Sequence, residues 1–389
     1  MANRQERREK GLGNIYQSGN KWIGRLDITS RAGPRPGGKR RFKYFSGKTE
    51  AEVKKKIREY LKTNETTNAT KVSVSDYADK WLVTYKKPEL KRSSYDRLEK
   101  TIMHQVKPYI GSISLSELTA DDIQTMLNTL QKEGLSWSSI KKAHDAVHGM
   151  IQHALDSDDL TKDPTRAVKM PSKDQFTQKE IRYFTKDEAR AIVEELGRQH
   201  KTGQAVYPYA EAYILILNTG LREGELIGLE KADWDKESNT IHVRRNVQSV
   251  KKRDDDGKAN GYELVTNTTK TYSGDRIIHL NTSAQAAVES MVTKYPNSKY
   301  LMCNSKGDII PPANLIRSFY RVLDNVGIER TGPHSLRHTF ASFLFAEKID
   351  VKTISKILGH SNTQITINTY IHLIQETEKE AVDKIIDLI

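Results

Sequence analysis

The sequence predicts a multidomain chain that is mainly α-helical with small β-sheets. Three observations carry this. At 389 residues, with about 150 residues expected per domain, the chain has room for two or three domains. Two tracts, one near the N-terminus and one over residues 238–280, alternate apolar and polar residues as strands do. Almost everywhere else, apolar residues return every three or four positions, the period of a helix.

The elements follow in order. "NIYQSGNKWIGRLDI" (14–28) alternates around a Ser-Gly-Asn turn, and "RFKYFSG" alternates again after the Pro- and Gly-rich loop "RAGPRPGGKR". "TEAEVKKKIREYLKTN" (49–64) places Ala51, Val53, Ile57 and Leu61 on one helical stripe. The expectation is a three-stranded sheet backed by one helix. "NETTNAT" (64–70) is polar and reads as a linker. From Ser73 to about Met170 the pattern is helical, with Pro88, Pro108, Gly111 and Gly134 as punctuation for four or five helices. Residues 159–180, with two prolines and many charges, read as a second linker. Thr185 and Glu188 form a T-x-x-E capping box ahead of the next helix. An apolar helix, a turn and a second helix span 207–230. Strand character then runs through "NTIHVRRNVQSV", "YELVTNTTKTYSG" and "DRIIHL", and helices resume from Ser283.

Composition narrows the function. No apolar run is long enough to span a membrane, and the charged stretch "MANRQERREKGLG" lacks the apolar core of a secretory leader. Cys303 is the sole cysteine and reads as a small buried apolar residue, so a reducing cytoplasmic setting is expected. The chain carries a net charge of +13, and residues 1–71 alone hold 19 Lys and Arg against 7 Asp and Glu. The remainder, 44 basic and 43 acidic, nearly balances. A basic surplus confined to one end points to a polyanionic partner, because neutralised phosphates release counterions. A merely solubilising surface is the plainer alternative.

Four segments of the C-terminal region carry chemistry. "NTGLREGEL" puts Arg222 at a Gly-flanked helix start, and "TKTYSGDR" puts Lys270 near a turn between strands. "GPHSLRHTFAS" holds His334 and Arg337 on one helical face, and "LGHSNTQITINTYIH" holds His360 and Tyr370. Taken singly, each has an ordinary structural reading: a solvated Arg, a core Tyr. Together they suit attack on a phosphodiester. Two arginines can fork the non-bridging oxygens. A tyrosine hydroxyl needs nearby positive charge or a base to attack at neutral pH. A lysine can protonate the leaving oxygen, and histidines can share the proton transfer. His334 and His338, at i and i+4, lack the Glu of a zinc H-E-x-x-H helix, so no metal is expected.

This set strongly resembles the tyrosine recombinase (phage-type integrase) family, most nearly the integrases of Gram-positive conjugative transposons and temperate phages. Its signature is an Arg in "TGLR-x-x-E", a strand-borne Lys, "H-x-L-R-H", "L-G-H" and a following Tyr. These fall here on Arg222, Lys270, His334 with Arg337, His360 and Tyr370, in family order. Lys251, Lys252 and Lys258 are the alternatives to Lys270, and His338 is read as a packing residue. Glu225 fits the family's orienting acid. The resemblance implies an arm-type DNA-binding domain over 1–66, a helical core-binding domain over 72–170 and a mostly helical α/β catalytic domain over 180–389. It implies a site-specific recombinase that cuts and rejoins double-stranded DNA at core-type and arm-type sites through a 3′-phosphotyrosine. It further implies a homotetramer on two duplexes, with an excisionase or a host DNA-bending protein as accessory, and no metal or nucleotide cofactor. The amphipathic "EKEAVDKIIDLI" is a candidate for packing on a neighbouring protomer. The rivals are a type IB topoisomerase-like nicking enzyme and a DNA-binding protein that keeps only the fold.

Overall fold

A computed structural model describes residues 13–19, 21–28, 40, 42–65, 72–177, 181–254, 257, 259–268 and 274–370. Lys270, Lys258, the leader, most of "RAGPRPGGKR" and "EKEAVDKIIDLI" lie outside the described residues. The chain divides into two compact units, residues 1–178 and 179–389.

In the first unit, β1 (Asn14–Ser18), β2 (Lys21–Asp27) and β3 (Phe42–Gly47) form an antiparallel sheet in that order. Helix α1 (Glu50–Glu65) covers one face, where Leu26, Ile28, Val53 and Ile57 make a small buried cluster. The register pairs Asn14 with Arg25 and Arg25 with Tyr44, so Tyr16, Arg25 and Tyr44 share the opposite, exposed face. The Arg25 guanidinium lies 4.5 Å over the Phe42 ring.

Four helical rods follow. The first is α2 (Val74–Trp81), carried through a π-turn at Leu82–Lys86 into Lys87–Glu89. The second is α3 (Arg92–Thr101), carried through another π-turn at Ile102–Val106 into Lys107–Ile110. Pro88 and Pro108 therefore do not end their helices. Each sits just after a π-turn, whose wider ring removes the clash a proline would make with the carbonyl four residues back. Rods α4 (Ala120–Lys132) and α5 (Trp137–Asp156) complete a core built on Trp81, Ile102, Ile123, Met126 and Ile151. Residues 159–177, which composition reads as a linker, are tied to this bundle. Trp137 Nε1 donates to the Pro171 carbonyl at 3.0 Å, and Gln124 exchanges hydrogen bonds with the Lys169 backbone.

The second unit opens with α6 (Lys186–Leu196), capped reciprocally by Thr185 and Glu188. The strongly apolar α7 (Ala210–Thr219) and the short α8 (Glu223–Ile227) follow. Strands β4 (Trp234–Asp235), β5 (Thr240–Val243) and β8 (Arg276–His279) form one antiparallel sheet. Between β5 and β8 the chain makes a separate two-stranded ribbon, β6 (Arg245–Arg253) and β7 (Ala259–Thr268). "NTIHVRRNVQSV" reads as one strand but is broken at Arg244. There Arg244 and Arg245 both turn onto the buried Asp233 carboxylate, and the chain leaves one sheet for the other. Helices α9 (Thr282–Lys294), α10 (Pro312–Asn325), α11 (His334–Ala346) and α12 (Val351–Leu358) close the unit, and residues 363–370 are helical again. No helix among the described residues is long and apolar enough to cross a membrane.

Candidate active site

Arg222 is the N-cap residue of α8, with extended backbone (φ −77°, ψ 150°). Glu225, one turn on, accepts from the Arg222 backbone N–H at 2.9 Å and from its Nη1 at 2.6 Å. Arg222 Nη2 donates to the Gly359 carbonyl at 3.2 Å, and about a third of the side chain stays open to solvent. Glu225 itself is buried. Burial pushes its pKa up, but Arg276 and Arg222 outweigh this and hold it down at about 2.

Arg337, on the first turns of α11, is 2% exposed. Nη1 donates to the Gly220 carbonyl at 2.5 Å and Nη2 to the Leu358 carbonyl at 2.8 Å. Those carbonyls end α7 and α12, where helix dipoles are negative and intrahelical donors have run out. Both helices stop because Gly220 and Gly359, each at φ 65°, take the left-handed conformation that glycine adopts without strain. Burial and the nearby Arg222 draw the Arg337 pKa down to about 9, which still leaves it cationic at neutral pH.

Arg337 Nη2 also lies 2.9 Å from His360 Nε2. A guanidinium only donates, so Nε2 accepts and the imidazole proton sits on Nδ1, 2.7 Å from Thr366 Oγ1. Burial, then Arg337 and Arg222, lower the His360 pKa to about 3. His334 opens α11 with its ring exposed at the surface. Crowding by neighbouring protein atoms, with Arg337 and Arg222 adding repulsion, lowers it to about 4. Both imidazoles are neutral at pH 7.

Tyr370 is 1% exposed and packs on Phe345, ring centroids 5.2 Å apart, in a cluster with Ala341, Ile354 and Leu358. Its hydroxyl lies 2.8 Å from His338 Nδ1. Burial raises the Tyr370 pKa, against the opposing pull of Arg337. Burial lowers that of His338 to about 4, with His334 and Arg337 contributing.

Arg222, His334, Arg337, His360 and Tyr370 thus come together in one unit, while Lys270 lies outside the described residues. The sequence assigns no role in the site to Thr366 or Arg276 and reads His338 as a packing residue. His338, rather than His360, meets the tyrosine hydroxyl. Thr366 sets the His360 tautomer. Arg276 forks the Glu225 carboxylate, Nη1 to Oε1 at 3.2 Å and Nη2 to Oε2 at 2.9 Å. The placement of His338 one turn after His334 in "HSLRH" is a signal that could have found it. The alternation of "RIIH", Arg276 and Ile278 inward, is the corresponding signal for Arg276.

The arrangement can hold an oxyanion between two arginines beside a tyrosine hydroxyl. Residues 182–377, half the chain, match the Phage integrase family, and residues 73–131 match its N-terminal SAM-like domain. The chain belongs to the phage integrase family. It is a tyrosine recombinase, an enzyme that breaks and rejoins DNA in site-specific recombination. It is 26% identical over 383 residues to the "Tyrosine recombinase XerC-like" protein of Caldanaerobacter subterraneus, covering 93% of this chain and 95% of that one. The ICEBs1 integrase of Bacillus subtilis is 23% identical, over 77% of this chain and 79% of its own. Among solved structures, the Tn1549 transposon integrase in complex with a circular intermediate DNA matches with a TM-score of 0.62 at 20% identity. That match covers 80% of this chain and 99% of the integrase. The lambda integrase tetramer bound to a Holliday junction matches with a TM-score of 0.58 at 15% identity, over 93% and 96%. At these identities the structural likeness establishes the fold.

Proposed function

We propose that Tyr370 is the nucleophile of this recombinase, that Arg222 and Arg337 bind the scissile phosphate, and that His360 supports them by accepting from Arg337. The observation that carries the reading is Arg337. A cation so fully buried, held by two helix-end carbonyls and a neutral imidazole, is preorganised for an incoming anion. Tyr370 Oη bonds to phosphorus as the bond to the 5′-oxygen breaks, leaving a 3′-phosphotyrosine. The hydroxyl proton leaves with help from His338, 2.8 Å from the oxygen, and from His334 beside it, and Lys270 supplies a proton to the departing 5′-oxygen. The 5′-hydroxyl of a partner strand then attacks the phosphotyrosine and restores the phosphodiester. Bond energy is conserved in the covalent link, so the cycle runs without a nucleotide.

The same reading takes residues 1–66 as an arm-site domain, 72–170 as a core-site domain and 180–389 as the catalytic domain. The exposed sheet face bearing Tyr16, Arg25 and Tyr44 supports the first of these, since a DNA major groove admits a small sheet that offers cations to phosphate. A homotetramer on two duplexes, working in the cytoplasm with an excisionase or a host DNA-bending protein, completes the proposal. Its test is a duplex selected by the full chain from a random-sequence library and rebuilt with a nick beside the cleavage point. The wild type should trap as a covalent adduct. Tyr370→Phe should bind the duplex equally and trap none; undiminished trapping by that variant refutes the assignment.

A further inference from the structure

We propose that Arg276, on β8, is a positioning residue of the site, a third arginine that fixes Arg222 and the end of α12 against the scissile phosphate. The inference rests on the proposed reading of the site and adds to it.

Three successive carbonyls at the end of α12 each receive one arginine. Ile357 accepts from Arg276 Nε at 2.7 Å, Leu358 from Arg337 Nη2 at 2.8 Å and Gly359 from Arg222 Nη2 at 3.2 Å. These carbonyls lie where a helix lacks internal donors and its dipole is negative, so three cations there are mutually supported. The residue after them is His360. Arg276 is nearly buried, and its planar guanidinium spends one edge on α12 and the other on Glu225. One rigid group therefore joins β8, α8 and α12.

The charge balance shows what this does. Without Arg276, the buried Glu225 carboxylate would have Arg222 as its main counter-charge and would draw that guanidinium away from the phosphate. With it, three guanidiniums and one carboxylate leave two positive charges. A pentavalent phosphorane carries two negative ones. A lysine at 276 would keep the charge but lose the fork that spans two elements. Glu225 is faced by Arg222 from its own helix, Arg276 from β8, and Arg337 and His334 from α11.

The test uses the full chain and the nicked duplex described above, with R276K, R276M, E225Q and E225Q/R276M. The two single arginine variants should bind the duplex as the wild type does and cleave about 10- to 100-fold more slowly. Rescue by lysine is the mark of a merely structural charge and is not expected. In R276M, burial raises the Glu225 carboxyl and its protonation releases Arg222, so the rate relative to wild type should recover as pH falls from about pH 8 to about pH 5.5. If R276M does not fold, the paired variant removes both buried charges and avoids an orphaned carboxylate. It should cleave within about threefold of E225Q alone if the two side chains act as a unit. R276K cleaving at the wild-type rate, or a paired variant about tenfold or more slower than E225Q, overturns the inference. A wild type that forms no Tyr370-dependent adduct refutes the reading of the site itself, and the inference with it.

Discussion

Arg337 serves structure and chemistry with one side chain. Its carbonyl partners fix the ends of two helices, and the same guanidinium is the proposed phosphate ligand. Arg337→Lys should therefore slow cleavage by about 10²- to 10³-fold, since an ammonium cannot reproduce the forked contact. The same change should cost about 1–3 kcal/mol in a urea titration, because a buried carbonyl loses its donor. A variant with wild-type cleavage would show that Arg337 is only a brace. Residues of this kind are legible when a short motif carries several of them, as "TGLR" and "HSLRH" do for Arg222, His334 and Arg337. Arg276 is not, because an arginine in "DRIIHL" reads as an ordinary strand residue. Its meaning depends on Glu225, 51 residues earlier in the chain. The tie between His338 and Tyr370 spans 32 residues and is hidden for the same reason.

Among elements, the site depends on where two helices stop. A Cβ at Gly220 would lie 2.6 Å from Phe340 and 2.8 Å from Leu358, and the left-handed backbone would be strained as well. Gly220→Ala should destabilise the second unit by about 1–3 kcal/mol and slow cleavage by moving the Arg337 anchor. Unchanged thermal unfolding would contradict this. Much at this scale is readable locally. The capping box at Thr185 and Glu188, the helix period over 49–64 and the turn between α7 and α8 need only a few neighbouring residues. Long-range choices are not readable in this way. Pro88 and Pro108 look like stops until π-turns absorb them, and the strand over 239–250 looks continuous until Asp233 claims Arg244 and Arg245.

At the scale of the whole molecule, the basic N-terminal surplus and the succession of a small sheet, a helical bundle and a mixed region follow from composition and periodicity. Stability should follow pH through the half-buried histidines. His338 and His360 sit at about 4 and about 3 in the folded chain, against roughly 6.5 when unfolded. Between those values the unfolded chain binds more protons, so stability is complete above about pH 6.5 and is lost as pH falls through that window. Glu225, depressed to about 2, adds a loss in the same direction at still lower pH. Urea titrations at about pH 7.5 and pH 5 should differ by on the order of 1–3 kcal/mol, with a smaller difference in H338Q/H360Q. An equal or greater stability at the lower pH would contradict the burial of neutral imidazoles.

The most direct measurement is the location of the covalent bond. The adduct trapped on the nicked duplex is digested with nuclease and trypsin, and the nucleotide-bearing peptide is sequenced by mass spectrometry. The chain has 17 tyrosines. The nucleotide is expected on Tyr370 alone, and attachment to any other residue would contradict the assignment of Tyr370 as nucleophile.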